Sequence, residues 1–131
     1  GWVMERSTHH GISPYEQAYG FSRAVRVGSV IHVSGTGPVR PDGAPNTDDA
    51  SAQMRRCCEI ALEALEALGG AVADVVRTRM YIVDPADADA IGSVHGEVFG
   101  VADPVSTMVV VAGLVDPSWK VEIEVEAVIG S

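Results

Sequence analysis

A chain of 131 residues, 47% hydrophobic and 21% charged, is long enough for one domain with its own core. Nine basic residues against 18 acidic ones leave a net charge of −9, which repels phosphate backbones and argues against nucleic acid as a partner. Cys57 and Cys58 are neighbours and cannot build a disulfide framework, which fits a reducing cytoplasm as the expected location. The longest apolar run, Met108 to Val115, is too short to span a bilayer, so no membrane association is expected. The start of the chain carries no basic stretch followed by an apolar one, so no secretory signal is expected either; Gly1, Trp2 and Val3 precede Met4 and are set aside.

Residues 1–20 are polar, with His9, His10, Gly11, Pro14 and Gly20, and read as an N-terminal tail or loop ahead of a single domain over 21–131. Residues 21–27 read as a strand, Gly28-Ser29 as a two-residue hairpin turn, and Val30 to Ser34 as the returning strand. Gly35-Thr36-Gly37-Pro38 breaks that pattern, and residues 40–46 form a loop. A helix follows, with cap and first-turn groups at Thr47, Asp48 and Asp49. Its apolar stripe is Met54, Cys57, Cys58, Ala61, Leu65 and Leu68, Arg55 sits four residues before Glu59, and the stop is at Gly69-Gly70. Residues 75–83 predict a third strand. Asp84-Pro85 caps a second helix, whose stripe is Ala88, Ile91, Val94, His95 and Val98 and which Gly100 closes.

Residues 105–112 are rich in valine and predict a fourth strand, followed by a turn region from Gly113 to Ser118. Residues 120–129 alternate: Val121, Ile123 and Val125 face one way, and Lys120, Glu122, Glu124 and Glu126 the other. The predicted order is β-β-α-β-α-β-β, a two-layer α+β domain with two helices on one face of a mixed sheet. The other face, half apolar and bare, predicts self-association.

Several stretches in this order resemble the RidA family, also called the YjgF family: VSGTGPV at 33–39, AQMRR at 52–56, RTRMYIVD at 77–84, DPVSTMVVV at 103–111 and VEIEVEAV at 121–128. The resemblance covers about residues 20 to 129 and implies a chorismate-mutase-like fold and a homotrimer with ligand clefts between subunits. It also implies hydrolysis of reactive 2-imino acids and enamines to 2-oxo acids and ammonia, with no metal or other cofactor.

Carried over residue by residue, the resemblance places a water-orienting carboxylate at Glu124 and pocket residues at Ser34 and Gly35. The position of the family's carboxylate-clamping arginine holds Ser106, which supplies no charge. That departure points away from simple 2-imino acids. Phe21 stands where a pocket tyrosine is frequent, and Gly92 where an asparagine is. Ser106 and Thr107 would line a neutral, hydroxyl-bearing pocket, with Ser106 and Met108 sharing one face of the strand and Thr107 taking the other. Tyr15 or Tyr19 are candidates to fold in from the preceding loop. Arg23, Arg26 and Arg79 are candidates for a replacement clamp, or for salt bridges to the acidic last strand. His95 reads as a packed histidine or a proton shuttle.

No zinc-ligand spacing and no G-x-S-x-G elbow occur in the sequence, and Gly35-x-Gly37 is not followed at once by a helix as a phosphate loop requires. The expected function is a RidA-like enzyme acting on an imine or enamine, by hydrolysis or a related addition or cyclisation. The alternative is a non-catalytic trimer that binds a small metabolite. A ribonuclease or translation inhibitor is opposed by the charge and by the lack of a basic, aromatic patch.

Overall fold

The computed structural model describes residues 4–131, so Gly1, Trp2 and Val3 lie outside the described residues. The chain runs β1 (Arg6–His9), α1 (Pro14–Tyr19), β2 (Ala24–Val27), β3 (Val30–Thr36), α2 (Ala50–Ala67), β4 (Val75–Ile82), α3 (Ala88–Phe99), β5 (Val105–Val110) and β6 (Val121–Val128). Short 3-10 turns at Val72–Asp74 and Pro85–Asp87 lead into β4 and α3. The strands form one mixed sheet in the order β1-β2-β3-β6-β4-β5. β4 and β5 pair in parallel, because α3 carries the chain back across the sheet between them; the other pairs are antiparallel.

The hairpin between β2 and β3 forms where the sequence predicts it, with Val27 opposite Val30 and Gly28 at φ 60°. A positive φ at the first of two turn residues suits glycine and matches the twist of the flanking strands. The last strand, predicted at the chain's end, lies in the middle of the sheet between β3 and β4. Its Val121, Ile123, Val125 and Ala127 are buried beneath α2 and α3, and Glu122, Glu124 and Glu126 stand on the opposite, open face.

All six stripe residues of α2 are buried, the two cysteines included. The helix starts at Ala50, one residue past Asp49, whose side chain accepts from the Ala52 amide at 2.9 Å. Arg55 does not pair with Glu59. It reaches Glu97 on α3 at 2.8 Å, while Arg56 takes Glu59 at 3.2 Å.

The segment before the first hairpin is not a tail or loop. Residues 6–9 add a strand to the sheet edge, and residues 14–19 form a helical turn and a half. Ser13 caps that helix, Pro14 occupies its first turn, and Gly20 at φ 76° ends it. One buried ion pair fastens it: Glu16, 3% exposed, accepts from Arg23 Nε at 3.3 Å, and Arg23 is 4% exposed. Arg23 therefore does not meet the acids of the last strand, and the strand predicted from Phe21 begins at Ala24. Arg26 likewise binds backbone, donating to the carbonyls of Gly28 and Leu68. Arg79 alone of the three follows the salt-bridge expectation.

Candidate functional site

The register of β4 against β6 builds the open face. Arg79 lies opposite Glu124, Tyr81 opposite Glu122, and Arg77 opposite Glu126. The long side chains cross diagonally. The Tyr81 hydroxyl donates to Glu124 Oε1, and Arg79 Nη1 sits 3.7 Å from Glu124 Oε2 and 3.1 Å from Glu126 Oε1. The bond to the Glu124 carboxylate stabilises the protonated phenol and pushes the Tyr81 pKa up. Arg77 and His32 extend the network to Glu126 at 3.8 Å and 3.9 Å. Glu124 Oε2 makes no hydrogen bond among the described residues, and Arg79 Nη1 at 3.7 Å is its ionic neighbour.

Beside this ladder lies a cleft of about 430 Å³ that brings Phe21, Ser34 and Glu124 together, with Ser22, His32 and Glu126 on its walls. Ser34 is placed by the irregularity between Val33 and Thr36 in the β3–β6 pairing, and its hydroxyl donates to the Ser22 carbonyl at 2.6 Å. Gly35 does not line this cleft. It faces a second, smaller cavity, where a Cβ would come within 3.1 Å of Glu122 Oε1. Tyr19 also lines that second cavity; it is 69% exposed and stacks on Tyr15 with ring centroids 5.5 Å apart.

The remaining candidates gather elsewhere in the chain. Ser106 lies opposite Thr78, and its hydroxyl accepts from Thr78 Oγ1 at 2.8 Å; His95 Nε2 is 2.7 Å from the same Thr78 oxygen. The cluster sits on the helix side of the sheet, and burial lowers the His95 pKa, which favours the neutral ring. Thr107, exposed and opposite Arg79, takes the open face, as strand alternation predicts. Gly92 lies on α3, where a Cβ would meet Met108 Cε at 3.9 Å; it lines neither the cleft nor the second cavity. Within one chain, Ser106, His95 and Gly92 are therefore grouped apart from Phe21, Ser34 and Glu124.

Sequence reasoning missed Tyr81, Thr78 and Glu16. In β4 the alternation of Arg77, Arg79 and Tyr81 with buried Thr78, Met80 and Ile82 was a usable signal. The diagonal bond to Glu124 was not, since it depends on a strand register over more than forty residues of separation. The Ser13-Pro14 start with Glu16 three residues after the cap was a legible helix signal for α1.

Among the described residues, no three His, Cys, Asp or Glu side chains converge as a metal-binding group, and no helix is long and apolar enough to cross a membrane. The mixed sheet, the helix pair on one face and the carboxylate ladder on the other define a two-layer α+β domain of the chorismate-mutase-like kind. The family model described as Endoribonuclease L-PSP matches residues 12–129, and the chain belongs to that family, the YjgF/RidA family.

An uncharacterised protein of Streptomyces coelicolor is 36% identical over 119 residues, covering 91% of this chain and 89% of the relative. A RutC family protein of Pyrococcus abyssi is 33% identical over 109 residues, covering 82% of this chain and 84% of the relative. Among solved structures, a Mycobacterium tuberculosis member of the YjgF/YER057c/UK114 family superposes with a TM-score of 0.86 at 38% identity, covering 95% of this chain and 100% of that one.

Proposed function

We propose that this chain is a RidA-like enzyme that acts on an imine or enamine lacking a free carboxylate next to the C=N bond, assembled as a homotrimer. The observation that carries the reading is Glu124 in the cleft, with Oε1 held by the Tyr81 hydroxyl and Oε2 free of hydrogen bonds. A carboxylate held at one oxygen presents the other at a defined angle, which is what orienting an attacking water requires. The water oxygen bonds to the imine carbon while its proton passes to Glu124 Oε2. Nitrogen takes that proton to give a neutral carbinolamine; Glu124 then accepts the hydroxyl proton and passes it to nitrogen as the C–N bond breaks, so that ammonia leaves a carbonyl product. No oxidant or reductant enters this balance.

Substrate choice follows from the cleft walls. Phe21 offers an apolar face, and Ser34 is turned onto the Ser22 carbonyl. Arg79 is committed to Glu124 and Glu126, and Arg23 to Glu16, so neither is free to clamp a carboxylate. The carboxylates of Glu124 and Glu126 in the cleft repel an anionic substrate further. In a trimer, Ser106 and Thr107 of a neighbouring subunit would complete the cleft with neutral hydroxyls. The family description speaks of an endoribonuclease; the net charge of −9 opposes that activity for this chain.

The test is hydrolysis of an uncharged imine, generated in place from 1-phenylethylamine by an amine oxidase, compared with 2-iminopropionate. Faster ammonia release from the uncharged imine, and a loss of roughly 100-fold or more in Glu124→Gln, is the expected result. Unchanged turnover in Glu124→Gln would refute the role of that residue. A second reading, a metabolite-binding protein without turnover, draws on the engagement of Glu124 with both Tyr81 and Arg79. Saturable binding in the cleft with no ammonia release from either imine would establish it.

A further inference from the structure

The loop between β3 and α2 holds the one place in the sequence where an aspartate or asparagine is followed by glycine, Asp42-Gly43. Glycine matters there because it has no side chain to keep the next amide nitrogen away from the aspartate carboxyl. Such a pair undergoes a slow ring closure in water. The Gly43 nitrogen bonds to Asp42 Cγ, the carboxyl hydroxyl leaves with the amide proton as one water, and a five-membered succinimide remains. Water then opens the ring at either carbonyl. Opening at the backbone carbonyl of Asp42 leaves the chain running through the side-chain carbon, as isoaspartate, and opening at the other restores aspartate. One water leaves and one returns, so the reaction needs no oxidant, reductant or further reactant.

The structure sets two obstacles against the first step. Residues 40–43 form a turn with Pro41 at its second position, closed by the Gly43 amide donating to the Arg40 carbonyl at 3.0 Å. Ring closure has to take that amide out of its bond. The Asp42 carboxylate is meanwhile gripped by the Arg40 side chain: Nε donates to Oδ1 at 3.1 Å and Nη2 to Oδ2 at 3.0 Å, a two-point fork. The Ala44 amide donates to Oδ1 at 3.0 Å. A carboxylate is a poor electrophile, and only the protonated acid has a hydroxyl to lose. The fork, reinforced by the Ala44 amide, lowers the Asp42 pKa from 3.8 to about 2, which cuts the protonated fraction at neutral pH roughly 60-fold. Both side chains are exposed, so solvent and salt take back part of that factor. The charges acting on the turn are Arg40 itself and, on Arg40, Asp48 ahead of α2.

We infer that Asp42 is this chain's site of spontaneous isomerisation to isoaspartate, and that the Arg40 fork is the catch that holds the reaction back. The chain is pinned again just past the turn, where Asn46, 3% exposed, donates from Nδ2 to the Pro38 carbonyl at 2.9 Å. The extra backbone methylene of isoaspartate therefore falls between two fixed points, and the sheet and α2 stay in place. The modification changes the shape and charge placement of one surface loop and is independent of Glu124 and its cleft.

The test follows isoaspartate in the wild-type chain, Arg40→Gln and Asp42→Glu, kept folded over weeks at about 37 °C and about pH 6. Electron-transfer mass spectrometry of the peptides locates it, and a protein isoaspartyl methyltransferase counts it by methyl uptake. The expected result is isoaspartate at position 42, formed at least about fivefold faster in Arg40→Gln than in the wild type, with the circular dichroism of the parent retained. Asp42→Glu, whose ring would need six members, abolishes the signal. In urea the fork is lost, and the wild-type rate rises to that of Arg40→Gln; added salt moves the folded wild type in the same direction. Equal rates in folded wild type and Arg40→Gln, no rise on unfolding, or faster isomerisation at any other aspartate each overturns the inference. The urea comparison needs no variant, and none of these readouts depends on imine turnover.

Discussion

Replacing Arg23 by methionine removes the cation that fastens the first 20 residues to the sheet. The guanidinium is 4% exposed and meets a carboxylate that is 3% exposed, so neither charge has water to fall back on. Without it, Glu16 keeps the Gly11 amide at 2.9 Å and His10 at 3.3 Å, while the Gly35 carbonyl and Thr36 hydroxyl lose their donor. Breaking one side of a buried pair costs about 3–5 kcal/mol, and the contacts left to Glu16 put the expected loss at the lower end, about 3 kcal/mol. At about 2.1 cal/mol/K of unfolding entropy per residue, 131 residues carry about 0.28 kcal/mol/K, so Tm falls by about 11 °C. Urea unfolding and calorimetry at one fixed protein concentration measure both quantities, the fixed concentration being needed because association shifts stability by mass action. A loss below about 1 kcal/mol would refute the claim that the pair anchors the segment. The double variant Glu16→Leu with Arg23→Met, which leaves no stranded charge, is expected to recover more than half of the loss.

Burial pushes the Cys58 thiol from 9.0 to about 12 and Cys57 well above its ordinary value, so the native chain is expected to be inert to a disulfide reagent at pH 8 and to release two thiols on denaturation. Above about pH 9 the unfolded chain ionises its thiols before the folded one does, so stability is expected to fall by about 1.4 kcal/mol per pH unit for each cysteine, which a series of urea titrations reads. Burial raises the Glu122 pKa, with Arg23 opposing and Glu124 reinforcing, so the folded state disfavours this carboxylate's charge. Glu122→Gln is therefore expected to raise Tm at pH 7, and the gain is expected to vanish below about pH 4, where both folded and unfolded chains hold the proton. Phe99→Ala, at a side chain with no exposure, is expected to cost about 3–5 kcal/mol in urea unfolding; a loss under about 1 kcal/mol would show that α3 is not part of the core.

Elements with a strong local period were legible without coordinates. The stripe of α2 from Met54 to Leu68, the alternation along β6 and the glycine turn at Gly28 each follow from side-chain spacing, because one face of each element must be dry. Neighbouring residues carry that information, so the order of five strands and two long helices and the side on which Glu124 stands could be read directly. What lay beyond reach were relations between residues distant in sequence. β6 inserts between β3 and β4, which brings Tyr81 onto Glu124, and no local pattern encodes which strand becomes the neighbour.

The same holds for polar groups whose reading depends on burial. In sequence Arg23 reads as a strand arginine, a candidate clamp or a salt-bridge partner of the acidic last strand, and only the packing of α1 makes it the buried partner of Glu16. In sequence Ser106 reads as a pocket residue, and only the parallel register with β4 shows that its hydroxyl accepts from Thr78 beside His95. Glu122, Glu124 and Glu126 are identical in pattern along the strand. Tertiary structure alone separates them, giving one to an aromatic cavity, one to a tyrosine and one to the arginines, because each faces a different neighbour across the sheet.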